Sequence, residues 1–219
     1  MEMKVKKMTT VYLIRHGESE ANEKDVFIGH TDLALTALGK RQAQITAEYL
    51  KDIVPDAIYS SDLQRAWFTA WETAKLQDMT VTKEPELREI YAGQWEYVPF
   101  SVLQEQRRDS YACWLNDIAH ARCDGGESVP EVGVRVVEAV RRIAQRHENG
   151  VVFIFTHATP IRTFAVHAMG KTPDELTVLP WPSNASVTKV EFDGQRFKLV
   201  EYSTDHFMGA LATRLPDNV

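Results

Sequence analysis

The chain has 219 residues, is 44% apolar and 26% charged, and carries a formal charge of −6 at neutral pH. That balance is ordinary for a soluble globular protein with one substantial core, and it disfavours nucleic acid, whose binding needs an extended basic face. It does not disfavour a small anion, which needs only a local positive pocket.

Residues 1–10 carry lysines but no apolar stretch, so no signal peptide is expected, and no apolar run approaches the ~20 residues of a membrane span. Two cysteines, Cys113 and Cys123, lack metal-ligand spacing and the density of a disulfide scaffold, so the expectation is reduced thiols in a cytoplasmic protein. The apolar run 11–14 then reads as a buried strand ended by Arg15-His16-Gly17-Glu18-Ser19. Thr36 is placed to cap a helix over 37–50, with Leu38, Ile45 and Tyr49 as its apolar face. Residues 56–59 read as a second strand. Ser60-Ser61-Asp62 follows as a capping cluster for a helix over 63–76, where Leu63, Ala66, Trp67, Ala70 and Ala74 keep the helical period and Arg65 lies on another face. A short strand is expected over 80–83.

The texture changes over residues 91–127. This segment is rich in aromatics and charge and lacks sheet alternation, so it reads as a partly helical insertion lying over the site, within a single domain spanning 1–219. Its aromatic residues are expected to serve more as cap and core than as a substrate platform. Ser128-Val129-Pro130-Glu131 is a capping box with proline in the first turn, opening a helix to about His147. Residues 151–155 form a continuous β-branched run, as expected for a strand of a parallel sheet, and end in Thr156-His157. A helix from Pro160 is stopped by Gly170, and Asp193-Gly194 joins two closing strands as a hairpin. The expected fold is a three-layer α/β/α sandwich, mostly parallel, with an antiparallel edge.

Three strand ends therefore present Arg15-His16, the Arg65 region and His157. In open α/β sheets ligands bind at the carboxyl ends of the strands. Two histidines and two arginines in one cleft fit a phosphoryl group: guanidinium forks match its oxygens and keep their charge near neutral pH. A histidine can attack phosphorus and split one displacement into two steps. One carboxyl can then protonate the leaving oxygen and later deprotonate water, and Glu18 and Glu89 are the candidates.

These motifs resemble those of the histidine phosphatase superfamily, the phosphoglycerate mutase-like group. The resemblance runs through Arg15-His16-Gly17-Glu18-Ser19 with Asn22, the segment from Gly29 to Thr36, Ser60 to Ala66, Leu87-Arg88-Glu89-Ile90 with Gly93 to Glu96, Gly125 to Ser128, and Thr156-His157. It implies that His16 is the phospho-acceptor, attacking through Nε2. It implies that Arg15, Arg65 and His157 clamp the phosphoryl oxygens, that Asn22 donates to the same group, and that backbone near Gly29 lines the pocket. Glu89 is implied as acid and base, and Glu18 is read as structural. No metal or cofactor is expected, because the charge-neutralising role is already filled. The remaining histidines are read as exposed or packing residues.

The expected activity is metal-independent hydrolysis of a small phosphomonoester. The alternative is a cofactor-dependent phosphoglycerate mutase, disfavoured by the 67 residues between Glu89 and His157, and a silent phospho-ligand binder ranks below both. Tyr97-Val98-Pro99 and Ala158-Thr159-Pro160 depart from the family pattern at the pocket rim and bear on the substrate. A homodimer through an edge strand stays open, carried by no motif.

Overall fold

The computed structural model describes residues 8–213 and residue 215. The signal-peptide question falls mainly on residues 1–7, outside the described residues. Among the described residues no helix is long and apolar enough to cross a membrane. In chain order the elements are β1 (Thr9–Arg15), α1 (Glu20–Glu23), β2 (Val26–Phe27), α2 (Ala37–Leu50), β3 (Ala57–Ser60), α3 (Gln64–Gln77), β4 (Val81–Lys83), β5 (Val98–Pro99), α4 (Phe100–Gln106), α5 (Arg108–Asn116), α6 (Val129–Arg146), β6 (Val151–Thr156), α7 (Ala158–Ala168), β7 (Val187–Phe192) and β8 (Phe197–Thr204).

Six strands form one sheet in the order β4-β3-β6-β1-β7-β8. The first four run parallel, and β7 and β8 close the other side antiparallel. This is the expected mostly parallel sheet with an antiparallel edge. Alternate strand residues feed two apolar layers. Val11, Leu13, Val152 and Ile154 pack with α6 and α7, while Ile14, Ile58, Phe153 and Phe155 pack with Leu50 of α2 and Ala70 and Ala74 of α3. The register puts Arg15 beside Thr156 and Ser60 beside Phe155, so β1, β6 and β3 end side by side.

Helix boundaries follow the local chemistry. The Thr36 hydroxyl accepts from the Gly39 N–H at 3.0 Å, and Ser128 and Glu131 form the reciprocal box that opens α6. The cap of α3 differs from the expected cluster. The Ser61 hydroxyl accepts from the Leu63 N–H, but Asp62 turns away to Arg88, and the Gln64 N–H is met by Asp32 from a distant loop at 2.7 Å.

The expected apolar face of α2 is not the buried one. Gly39, Gln42, Ala43, Thr46, Ala47 and Leu50 are buried, whereas Leu38 and Ile45 are half-buried and Tyr49 is exposed. Size decides here. A Cβ at Gly39 would stand 1.9 Å from the Glu18 carbonyl oxygen, and one at Gly17 would stand 2.3 Å from that of Gly39. Only two glycines let the start of α2 press against the loop that carries His16.

Within 91–127, α4 and α5 supply the helical part. Trp95, Tyr111 and Trp114 are buried in the same cluster as β1, β6, α6 and α7, so this segment shares the core of the sheet.

Candidate active site

His16 directly follows β1 and is buried, with its N–H bonded to the Thr156 carbonyl of β6 at 3.0 Å. Its Nδ1 lies 2.7 Å from the Gly17 carbonyl oxygen. A carbonyl only accepts, so Nδ1 carries the proton and Nε2 keeps its lone pair. Burial, and then the Arg65 and Arg15 guanidinium groups, hold His16 well below the ordinary histidine value of 6.5. It is a neutral imidazole at physiological pH, as a nucleophile must be.

His157 directly follows β6 and is fully buried, its ring centroid 5.1 Å from that of His16. Burial and then Arg65 and His16 push it well down too. Its Nε2 is 2.9 Å from the Ser61 hydroxyl, which itself accepts from the Leu63 N–H. When the Ser61 hydroxyl donates to Nε2, the ring proton stands on Nδ1, which has no partner among the described residues.

Arg15 and Arg65 are fully buried cations whose hydrogen bonds go to backbone carbonyls. Arg15 donates through Nη1 to Pro182 O, and Arg65 through Nη2 to Gly29 O at 2.7 Å and Nη1 to Thr31 O at 3.1 Å. Among the described residues the Nε–H of each has no partner. Burial pushes both down to about 10, partly offset by Glu89, so both stay charged at neutral pH. Two buried positive charges with unmet N–H groups are costly unless an anion completes them.

Glu89 is buried after β4. Its Oε1 accepts from the Ile90 N–H at 2.8 Å and its Oε2 from the Thr159 N–H at 3.3 Å. Asn22 is pinned through Oδ1, which accepts from the Ser19 N–H and hydroxyl at 3.0 Å and from Asn184 Nδ2 at 3.3 Å. Its own Nδ2 is left to offer a ligand. Arg15, His16, Asn22, Arg65 and Glu89 all line one cavity of about 60 Å³, together with Thr159.

Of the other sequence candidates, His157 stands against the His16 ring without lining the cavity, while Gly29 and Glu18 act at one remove. Gly29 donates its N–H to Glu96 and lends its carbonyl to Arg65, while its neighbour Ile28 meets the cavity. A Cβ at Gly29 would stand 2.0 Å from the Ile90 carbonyl oxygen, so the close approach there requires glycine. Glu18 accepts from the Thr36 hydroxyl at 2.7 Å and does not line the cavity.

Several supporting residues receive no role from the sequence, although Glu96 and His30 lie within the resembling blocks. Glu96 gathers the N–H groups of Gly29, His30, Thr31 and Ala92. Burial raises its pKa, but those backbone bonds and the Thr31 hydroxyl outweigh it and hold the carboxyl below its usual range. His30 is more than a packing residue, since its Nε2 lies 3.0 Å from the Glu89 carbonyl. Arg135 of α6 donates to the carbonyls of Glu86, Arg88 and Glu89 at 2.7–2.8 Å and pairs with Glu127. Buried Asn184 bonds both Asn22 and the His16 carbonyl.

A wider apolar groove of about 330 Å³, around Val134, Val137, Val166 and Leu176, holds none of these groups. Among the described residues no cluster of three or more His, Cys, Asp or Glu side chains is arranged to hold a metal ion.

The sequence model of the histidine phosphatase superfamily (branch 1) matches residues 11–205. The chain is 32% identical over 163 residues to phosphoserine phosphatase 1 of Hydrogenobacter thermophilus, covering 74% of this chain and 77% of that protein. It is 31% identical over 147 residues to the adenosylcobalamin/alpha-ribazole phosphatase of Escherichia coli, covering 67% and 72%. Among solved structures, Bacillus stearothermophilus YhfR superposes with a TM-score of 0.86 at 29% identity, over 91% of this chain and 99% of that one.

Proposed function

We propose how the gathered side chains divide the work in this chain, which belongs to branch 1 of the histidine phosphatase superfamily and is a phosphomonoester hydrolase acting on small phosphorylated metabolites. The phosphoryl group sits over His16 with its oxygens on Arg15, Arg65, the His157 Nδ1–H and the Asn22 amide. The Nε2 lone pair of His16 attacks phosphorus, and the P–O bond to the alcohol breaks. Glu89 gives its proton to the leaving oxygen. Water then attacks the phosphohistidine, Glu89 takes the water proton, and phosphate leaves His16 neutral again. The two arginines and the two N–H donors meet the charge that builds on the equatorial oxygens, in a site already oriented for it.

One observation carries this reading. The bond from His16 Nδ1 to Gly17 fixes the tautomer that leaves Nε2 nucleophilic, beside two buried arginines whose Nε–H groups have no partner among the described residues. Among the described residues the positive charge lining the cavity is that of those two arginines, which suits a small ester and not a polyanion. Phosphoserine and alpha-ribazole phosphatases among the relatives have the reaction in common and not the alcohol, so the alcohol must be sought in the cavity wall. Phosphate return to the substrate, as in a mutase, has less support, because both curated relatives above are phosphatases.

The test is phosphate release from a panel of phosphomonoesters in EDTA, for the wild type and His16→Ala. The expected result is release that vanishes in a variant with unchanged circular dichroism, and an acid-labile phosphoramidate on His16 in rapid-quench samples. Near-normal turnover by His16→Ala would overturn the assignment.

A further inference from the structure

We infer that the ester this site favours carries its phosphoryl group on an uncharged alcohol with a flat or apolar body, and disfavours an alcohol bearing a carboxylate. The inference rests on the phosphatase reading and concerns the opposite end of the same cavity. Beyond the phosphoryl-binding groups, the wall is built from Val26, Ile28, Phe100, Trp114, Trp181 and Leu215. Among the described residues no lysine lines it, nor any arginine besides Arg15 and Arg65, which face the phosphoryl group. Beyond the histidine and the two arginines, the ionisable group on the described lining is Glu89, which the reaction uses as its acid. A second anion on the substrate would lose its water and find no second cation among the described lining residues.

A cation beside this wall is turned to another use. Arg162 of α7 donates Nε to the Leu179 carbonyl at 2.9 Å and lays its guanidinium carbon 4.4 Å from the Trp181 ring centroid. Trp181 also stacks on Trp114, with centroids 5.9 Å apart and planes 19° from parallel. The indole is thus braced by a second indole and a guanidinium, and it offers the cavity a fixed apolar surface. Such a surface gains from a flat partner without ordering itself afresh.

The experiment compares kcat/KM for 2-phenylethyl phosphate with that for phosphoserine and 3-phosphoglycerate, all alkyl esters, so that leaving-group acidity does not decide the ranking. The expected preference for the phenylethyl ester is about 10-fold or more, the scale on which a pocket discriminates one apolar group. Trp181→Arg should narrow or reverse that preference by raising activity on the carboxylate esters, while Trp181→Leu should keep them poor substrates. If Trp181→Arg does not fold, Phe100→Arg places a cation on the same wall. Equal or better turnover of the carboxylate esters by the wild type would overturn the inference and leave the phosphatase reading standing. No release from any ester, or release that survives in His16→Ala, would instead strike the phosphatase reading itself.

Discussion

His16 shows how much one side chain's chemistry depends on its immediate neighbours. A free imidazole is half protonated near pH 6.5 and can hold its neutral proton on either nitrogen. Here the Gly17 carbonyl selects the tautomer, and burial beside two guanidinium groups removes the proton. The folded state therefore refuses a proton that the unfolded chain accepts below about pH 6.5. Stability contributed by His16 and His157 is fully present above that value and is lost progressively as pH falls below it. We expect the His16 ring nitrogens, followed by NMR in the phosphate-free enzyme, to keep the neutral Nδ1–H signature as pH falls through the ordinary histidine range. A midpoint close to 6.5 would show that the two arginines do not act on this ring. The candidate residues were legible at this scale because each sits in a short, chemically unusual string at a strand end. Asn184 was not legible: it lies in the loop before β7, and its contacts with Asn22 and His16 join residues 162 and 168 apart in sequence.

At the scale of elements, the strands were legible and the helix faces less so. Residues 151–155 and the hairpin at Asp193-Gly194 announce themselves through β-branched continuity and turn chemistry. The buried face of α2 did not, because apolar periodicity marks Leu38, Ile45 and Tyr49 while close packing selects Gly39, Ala43 and Ala47. A periodicity argument ranks side chains by hydropathy, and a tight contact ranks them by size. The same limit hid Arg135, which reads as a solvated helix charge but holds the carbonyls of the 86–89 segment and so sets where Glu89 stands. Arg135→Gln should cost about 2 kcal/mol of stability through those lost charged hydrogen bonds. Its effect on turnover should depend on the leaving group. Alkyl esters need a proton from Glu89, so their kcat/KM should fall about 10- to 100-fold if the carboxyl is displaced. 4-Nitrophenyl phosphate leaves as a stable phenolate and should lose much less. Equal losses on both would assign Arg135 a purely structural part.

The whole molecule gathers its polar groups at one end of the sheet, after β1, β3, β4 and β6, and leaves two buried guanidinium groups there with unmet N–H donors. Such an arrangement is tolerable only because the rest of the fold over-determines it: two apolar layers, a box-capped α6 and the carboxylate of Glu96 hold the loops in place. Burying those two charges together opposes folding, and an anion bound there should relieve that opposition. A ligand at 100 times its dissociation constant that binds only the folded state adds about 2.7 kcal/mol. For a chain of this length each kcal/mol moves the melting temperature by about 2–4 °C, so saturating inorganic phosphate in EDTA should raise it by about 5–10 °C. His16→Ala keeps both arginines and should retain most of that shift although it cannot turn over, whereas Arg65→Met should lose it. Comparing the wild type with Arg65→Met at the same phosphate concentration separates site occupancy from salt exclusion, since phosphate and sulfate are both excluded salts that stabilise a folded chain with or without the site. If phosphate leaves the melting temperature unchanged while the enzyme is active, the unmet charges are compensated within the protein, and the pocket's stored electrostatic cost is not what drives anion capture.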